Sequence, residues 1–135
     1  MKKTLLILVL SILSGQVMAD LNNGLNAYMV GDYKTAYKDW LPIAEQGNAV
    51  AQYNLAGLFV NGYGVDLDEE IAFKWYKKAA EQGHPKAQFN LGVMYLIESG
   101  TEQSFVEAKH WLHLAYENGI EESEDIWNEY KLWNH

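Results

Sequence analysis

The sequence predicts an all-α fold, a right-handed α/α superhelix (solenoid) of about three helical-hairpin repeats with a C-terminal capping helix. Equivalent positions recur at an interval of 36 residues, as Gly47, Gly83 and Gly119 show. Within each unit, apolar residues recur every three or four positions and so form one stripe on a helix. A unit of this length cannot bury its own apolar stripe, so neighbouring units must stack on one another.

Each unit is predicted to contain a helix A, a turn and a helix B. The two clearest units occupy about residues 49–84 and 85–120. A glycine ends each helix B, where a left-handed residue is needed after the last turn. Pro85 begins the next helix A at a position whose amide has no helical partner, and the glycines of residues 61–64 separate helix A from helix B. Pro42 lies inside the first helix B and should kink that helix or delay its start.

The first unit, about residues 21–48, has a shorter turn at Gly31. If five loop residues are missing there, Asn23 aligns with Asn54 and Asn90 of the later units. We therefore expect one asparagine at the same place on helix A of every unit.

Beyond the last repeat, residues 121–134 carry an apolar stripe behind an acidic first turn. This pattern predicts a capping helix that covers the open face of the last repeat, and a separate binding peptide is the alternative. In the repeats themselves, Trp75 and Trp111 fall on the helix B stripe. We expect both indole rings to be mostly buried between helices A and B of adjacent units.

The repeat blocks closely resemble the Sel-like repeat (SLR) family, a relative of the tetratricopeptide repeat. They read AQYNLAGLFVNGYGV and then AFKWYKKAAEQGH, and the resemblance covers about residues 31–120. It implies a tetratricopeptide-like α-solenoid. The chain departs from the family pattern at Glu98, where the family has a loop glycine, and at Thr101, where it has valine. Many secreted members carry a cysteine pair in each repeat. This chain has no cysteine, so properties tied to those bridges, including penicillin binding, do not carry over.

A separate signal occupies the N-terminus. Two lysines form a charged start, Leu5–Leu13 is apolar apart from one serine, and Ala19 offers a small residue for cleavage. Residues 1–19 are therefore interpreted as a signal peptide that is removed before Asp20. The alternative is an uncleaved membrane anchor, but a span needs about 20 apolar residues and this run is about half as long. We expect a bacterial protein that is periplasmic or secreted.

The mature chain, residues 20–135, has the length of one domain. Loss of the two N-terminal lysines changes the formal net charge from −8 to −10, and the chain has no arginine. Such an acidic protein is a poor match for nucleic acid or for an anionic membrane surface. We therefore expect a protein or peptide partner, no nucleic acid, and no stable membrane insertion after signal cleavage.

Signals for catalysis are weak. His110 and His113 lie one helical turn apart, and they could hold a metal only if a third ligand came near. They align with Lys74 and Lys77, which should face solvent. The sequence shows no catalytic carboxylate pair, no GxSxG turn and no thiol. It therefore predicts a protein that is not an enzyme and that has no cofactor or metal.

A binding groove is predicted along helix A, which lines the concave side in solenoids of this superfamily. Because each residue turns the helix by about 100°, the side chains opposite the buried stripe face the groove. The predicted groove residues are Tyr53, Asn54, Asn61, Phe89, Asn90, Val93 and Ile97. An asparagine amide both donates and accepts, which suits a peptide backbone, and aromatic side chains supply anchor area. The alternative is that Asn54 and Asn90 only bond a neighbouring turn.

Three functions remain open. The first is an exported adaptor or scaffold that binds a protein segment in the concave groove. The second is an immunity protein that neutralises a secreted toxic effector. Exported SLR proteins resembling this one include such inhibitors, and the acidity of the chain would suit a basic effector. The third is a cell-wall-active hydrolase, for which no residue pattern speaks.

The interpretation of residues 1–19 as a signal peptide makes a direct prediction. The protein recovered from its native cell should begin at Asp20, because the signal peptidase would cut after Ala19. Intact-mass measurement of the purified protein checks this. Recovery of the full-length chain in the membrane fraction would contradict it.

Overall fold

The computed structural model describes the backbone of residues 2–134 and the side chains of residues 14–134. Helices are the only regular elements in this part of the chain, so the predicted all-α fold is confirmed. In chain order they are α1 (Lys2–Met29), α2 (Tyr33–Glu45), α3 (Ala49–Asn61), α4 (Glu69–Glu81), α5 (Pro85–Ile97), α6 (Phe105–Glu117), α7 (Glu122–Glu129) and a 3₁₀ helix, Leu132–Asn134.

Most of the predicted signal peptide, up to Leu13, lies outside the residues whose side chains are described. Helix α1 runs through Ala19 and Asp20, and its C-terminal part is helix A of the first unit. Val17 and Leu21 pack against the apolar cluster that contains Trp40 and Leu55. Cleavage after Ala19 stays a prediction. Among the helices of residues 14–134, none combines the length and apolar character needed to cross a membrane.

Each helix packs on the next along the chain, from α1 on α2 to α6 on α7. Helices α2, α4 and α6 are the B helices, and each has 13 residues. They begin at Tyr33, Glu69 and Phe105, so the 36-residue period extends to the first unit. The expectation that Pro42 delays the first helix B is therefore wrong. Pro42 lies in the last turn, where its missing amide removes one helical bond and leaves the start untouched.

Turn residues set the ends of the helices as the sequence predicts. Gly47, Gly83 and Gly119 follow the B helices with φ of 99°, 87° and 93°, which only glycine adopts without strain. Glu98 ends α5 with φ of 59°, where Gly62 ends α3 with φ of 65°. The third unit therefore keeps the same turn although it lacks the family's glycine.

Three apolar clusters fill the seams of the stack. Trp111 is buried as predicted, with 9% of its surface exposed. Trp75 is only half-buried and touches two clusters, because its ring reaches the surface and the ammonium of Lys78 lies 4.5 Å from its centre. At the C-terminal end, Leu132 is fully buried, and Trp127 packs against the same cluster.

A buried glutamine joins each pair of successive repeats, and we call this arrangement the glutamine clamp. Gln52 on α3 donates from Nε2 to the carbonyl of Ala44 at the end of α2, at 3.0 Å. Its Oε1 accepts from Gln82 Nε2, just after α4, at 2.8 Å. The same geometry recurs one repeat later, with bonds of 3.3 Å and 2.8 Å, among Gln88, Ala80 and Asn118.

The N-terminus of α5 carries an unusual cap. Ring nitrogen Nδ1 of His84 accepts from the amide of Ala87 at 3.2 Å, in the position where Asn48 caps α3 by accepting from Ala51 at 3.0 Å. Burial lowers the pKa of His84 from 6.5, and the charge of Lys86 adds to this effect. The cap requires the neutral imidazole, since a protonated Nδ1 cannot accept.

The buried indole of Trp111 predicts a large loss of stability on truncation. Trp111→Ala should lower the free energy of unfolding by roughly 3–5 kcal/mol and the melting temperature by about 10 °C or more. His110→Ala is the matched control, because the His110 side chain is exposed on the same helix. Circular dichroism melting of both variants checks this. Equal small effects would show that the assigned faces of α6 are wrong.

The His84 cap predicts a pH-dependent stability. Because the folded pKa lies below the unfolded value of 6.5, the stabilisation is present above pH 6.5 and is lost as the pH falls through the folded pKa. His84→Asn keeps a cap of the kind formed by Asn48 but cannot titrate. The variant should therefore lose less melting temperature than the parent between about pH 7.5 and about pH 5. Equal losses in the two proteins would contradict this origin.

Candidate functional site

The predicted groove residues lie on α3 and α5, on a face of the solenoid to which α1 also contributes. Three adjoining recesses make up this face, which we call the helix A groove. The first, of 260 Å³, lies between α1 and α3 and contains Tyr53, Asn54 and Asn61. The structure therefore brings the three predicted residues of α3 into one recess. Leu25 and Tyr28 form its opposite wall.

The other two recesses lie along α3 and α5. One, of 270 Å³, contains Tyr53, Phe89 and Asn90. The other, of 220 Å³, contains Phe89 and Asn90 again together with Val93 and Ile97. Because neighbouring recesses share walls, the groove is continuous across the second and third repeats. All seven predicted residues thus share one surface, and their role in binding stays a prediction.

Asn90 connects the walls of the groove. Its side chain lies near the phenols of Tyr53 and Tyr76. Burial is the main cause that raises the pKa of both phenols, that of Tyr76 to about 12, and the nearby Asn90 amide opposes the rise. Both phenols are therefore neutral hydrogen-bonding groups at physiological pH. The neighbours of the Asn90 amide are thus tyrosines, whereas the alternative considered above was a bond to a neighbouring turn.

The other asparagines differ from Asn90. Asn61 donates from Nδ2 to the carbonyl of Gly57 on its own helix, at 2.8 Å. The Asn54 side chain is half-buried in the first recess, and within residues 14–134 it forms no hydrogen bond. Asn54 therefore offers a complete amide, with two donor hydrogens and an acceptor oxygen, to a bound molecule.

Asn23 does not continue the row of asparagines, and this expectation is wrong. Its side chain is exposed and lines none of the three recesses. Gly24 lies against Trp40 in the first unit, and Gly92 lies against Leu112 at the equivalent place in the third unit. Aligning these two pairs shows that the turn of the first unit lacks four residues rather than five. A shift of one residue turns a side chain by about 100° around the helix, so Asn23 points out of the groove.

His84 supports the groove from its edge. Its ring stacks on that of Tyr53, with 4.6 Å between ring centres and 17° between planes. The residue that caps α5 therefore also holds the aromatic wall shared by two recesses. The capping position of His84 follows from the repeat alignment with Asn48, but its contact with Tyr53 has no signal in the sequence.

Charge is nearly absent from the groove. Among the residues that line its recesses, only Lys86 and Glu122 carry a charge, and both lie in the second recess. Acidic residues instead surround the turns between helices A and B, where Asp68, Glu69, Glu98 and Glu102 border a shallow surface. Within residues 14–134 no group of three or more His, Cys, Asp or Glu residues could hold a metal ion, and His113 pairs with Glu117 at 3.4 Å.

Comparison with known proteins agrees with the repeat architecture. The family profile described as Sel1 repeat matches residues 49–84 and 85–120, just over half of the chain. None of the curated proteins matches.

Two solved structures share the fold. One is a Sel1 repeat protein from Oxalobacter formigenes, with 32% identity and a TM-score of 0.71 over 77% of this chain and 46% of that one. Another is a protective antigen present in uropathogenic Escherichia coli strains that displays an SLR fold. It has 30% identity and a TM-score of 0.80 over 92% of this chain and 29% of that one. The chain thus spans less than half the length of either relative. With two matched repeats and this shared stack, the chain belongs to the Sel1 repeat family, whose repeats are protein-interaction modules.

Proposed function

We propose that this protein is an exported adaptor or scaffold that binds an extended segment of another protein in its concave helix A groove. The observation that carries the proposal is the continuous, nearly uncharged groove in which Asn54 keeps a free amide beside aromatic walls. Apolar recesses with a few oriented polar groups are the usual composition of binding sites. Sel1 repeat solenoids are typically scaffolds rather than enzymes, and we extend this description to the present chain.

The spacing of the recesses favours an extended segment. Recesses of 260, 270 and 220 Å³ follow one another along the groove and share the walls Tyr53, Phe89 and Asn90. Each is large enough for one apolar or aromatic side chain, so a chain lying across them would place successive anchors in separate recesses. The Asn54 amide lies where it would meet the backbone of such a chain, and it can bind both a carbonyl and an N–H group.

Export is part of the proposal. It rests on the charged start, the apolar run and the cleavage position at Ala19. The relative that is a protective antigen supports this setting, since an antigen must be accessible to antibodies.

A second function is favoured by the charge of the chain. An immunity protein that neutralises a secreted toxic effector would profit from the mature net charge of −10, because opposite charges accelerate and orient association with a basic partner. In that case the acidic surface outside the groove would form the main contact. A hydrolase acting on cell-wall material has no supporting observation.

The groove proposal is tested with the double variant Asn54→Ala, Asn90→Ala. It should weaken capture of the main partner by about tenfold or more, because polar contacts at the centre of an interface are costly to remove. Asn23→Ala is the matched control, since that asparagine is exposed outside the groove. Quantitative affinity capture of the mature protein with mass spectrometry measures the effect, and circular dichroism checks the fold.

The single variant Asn54→Ala sharpens the test. The Asn54 side chain forms no hydrogen bond within residues 14–134. Its truncation should therefore leave the melting temperature unchanged while it weakens capture. Unaltered capture by both variants, with normal melting, would move the contact outside the groove and favour the immunity function.

A further inference from the structure

Helix α7 begins at Glu122, one residue after the position where a fourth helix A would begin, which allows its contacts to be compared with those of α3 and α5. Ser123 is fully buried at 1% exposure, as its equivalents in the inner repeats are at 0%. Equivalent positions lie 36 residues apart. The cap positions are Asn48, His84 and Ile120, the buried small residues are Ala51, Ala87 and Ser123, and the clamp positions are Gln52, Gln88 and Glu124.

Helix α7 lacks two contacts that hold the inner repeats together. No side chain caps its N-terminus, because Ile120 stands where Asn48 and His84 cap the earlier helices. Glu124 stands in the clamp position, and a carboxylate cannot donate to a backbone carbonyl as Gln52 and Gln88 do. The seam between α6 and α7 therefore has neither the side-chain cap nor the glutamine clamp of the inner repeats.

A cavity of 270 Å³ opens in this seam, outside the helix A groove. It is lined by Leu112, His113, Tyr116, Ser123, Glu124, Trp127 and Asn128. The hydroxyl of Ser123 is buried and has no hydrogen-bond partner in the described part of the chain. An unpaired buried hydroxyl costs about 1–3 kcal/mol, and the alanine of the inner repeats would avoid that cost. A bound polar group would explain why serine is present here.

The other cavity residues indicate the charge and shape of that group. Glu124 contributes a carboxylate, Asn128 an amide and Trp127 an indole face. The ammonium of Lys109, which does not line the cavity, lies 5.6 Å from the centre of the same indole, within the range of a cation–π contact. A planar cation with several N–H donors fits these partners, because a guanidinium both stacks on aromatic rings and binds carboxylates.

We propose that the cavity between α6 and α7 binds a guanidinium group from another molecule. The group stacks on Trp127 and donates to the Glu124 carboxylate and the Ser123 hydroxyl. This chain contains no arginine, so a second copy cannot supply the group. Because the Ser123 hydroxyl borders the cavity but is buried in the free protein, the group reaches it through a small shift of the surrounding side chains. The site is separate from the helix A groove and stands whether or not that groove binds a partner.

Titration of the ¹⁵N-labelled protein with N-acetyl-arginine amide tests the proposal. Saturable chemical-shift changes are expected at the Trp127 indole and at the backbone amides of Ser123 and Asn128. N-acetyl-citrulline amide has nearly the same shape without the charge and should bind at least about tenfold more weakly. Absence of saturable changes at the cavity, or equal binding of citrulline, would overturn the proposal.

Matched variants distinguish binding in the cavity from general attraction to the acidic surface. Ser123→Ala and Glu124→Gln should each weaken binding by about fivefold or more. Asp125→Asn makes the same charge change at an exposed neighbour that does not line the cavity, and it should have little effect. Ser123→Ala restores the residue of the inner repeats, so its melting temperature should not fall. Equal weakening by Asp125→Asn and Glu124→Gln would indicate binding to the acidic surface and contradict the site.

A second comparison identifies the source of the group. The blocked amide presents the guanidinium beside amide groups, as an arginine within a protein does, whereas free arginine presents it beside an α-ammonium and an α-carboxylate. Tighter binding of the blocked amide supports a protein side chain as the ligand. Equal or tighter binding of free arginine supports the same site with a small guanidinium compound as the ligand.

Discussion

Each junction between successive repeats of this solenoid contains one buried glutamine that holds it together. Gln52 and Gln88 each donate to the last turn of the preceding helix B and accept from a side chain that follows the next one. Each therefore ties three successive helices together, and its loss would leave buried polar groups unpaired at about 1–3 kcal/mol each. At the other edge of the stack, a Cβ atom at Gly100 would overlap the backbone of Glu69, and one at Gly64 would lie 2.7 Å from that of Tyr33. Both edges thus require the same close spacing of repeats.

This spacing creates the helix A groove. With α3 held at one distance from α5, the Asn90 amide lies near the phenols of Tyr53 and Tyr76 on two other helices. Neighbouring recesses therefore share aromatic walls, and a group of acidic residues borders the turns outside the groove. The proposed binding surface is therefore a product of the stacking geometry rather than of a local motif. Where Glu124 stands in the clamp position, a cavity outside the groove lies between α6 and α7.

Much of the fold could be predicted from the period alone, since it sets the starts of α2, α4 and α6 and the glycines that follow them. The predicted row of asparagines was wrong at Asn23. The sequence does not show whether the turn of the first unit lacks four or five residues, so it does not fix the register of the helix before that turn. The position of the Asn90 amide near two phenols could not be predicted either. It depends on Tyr76, whose position holds Trp40 and Leu112 in the other units, so the repeat pattern identifies it only as a core residue.

The central claim, that the helix A groove holds a segment of another protein, is tested most directly by photo-crosslinking in the native cell. A photoreactive phenylalanine analogue is placed at Phe89 or Val93 in the groove, and at exposed Lys74 or His110 on the B helices as controls. The account predicts that both groove positions crosslink to the same short segment of one protein, mapped by mass spectrometry, and that the controls do not. Crosslinks to that partner from the control positions, with none from Phe89 or Val93, would contradict it.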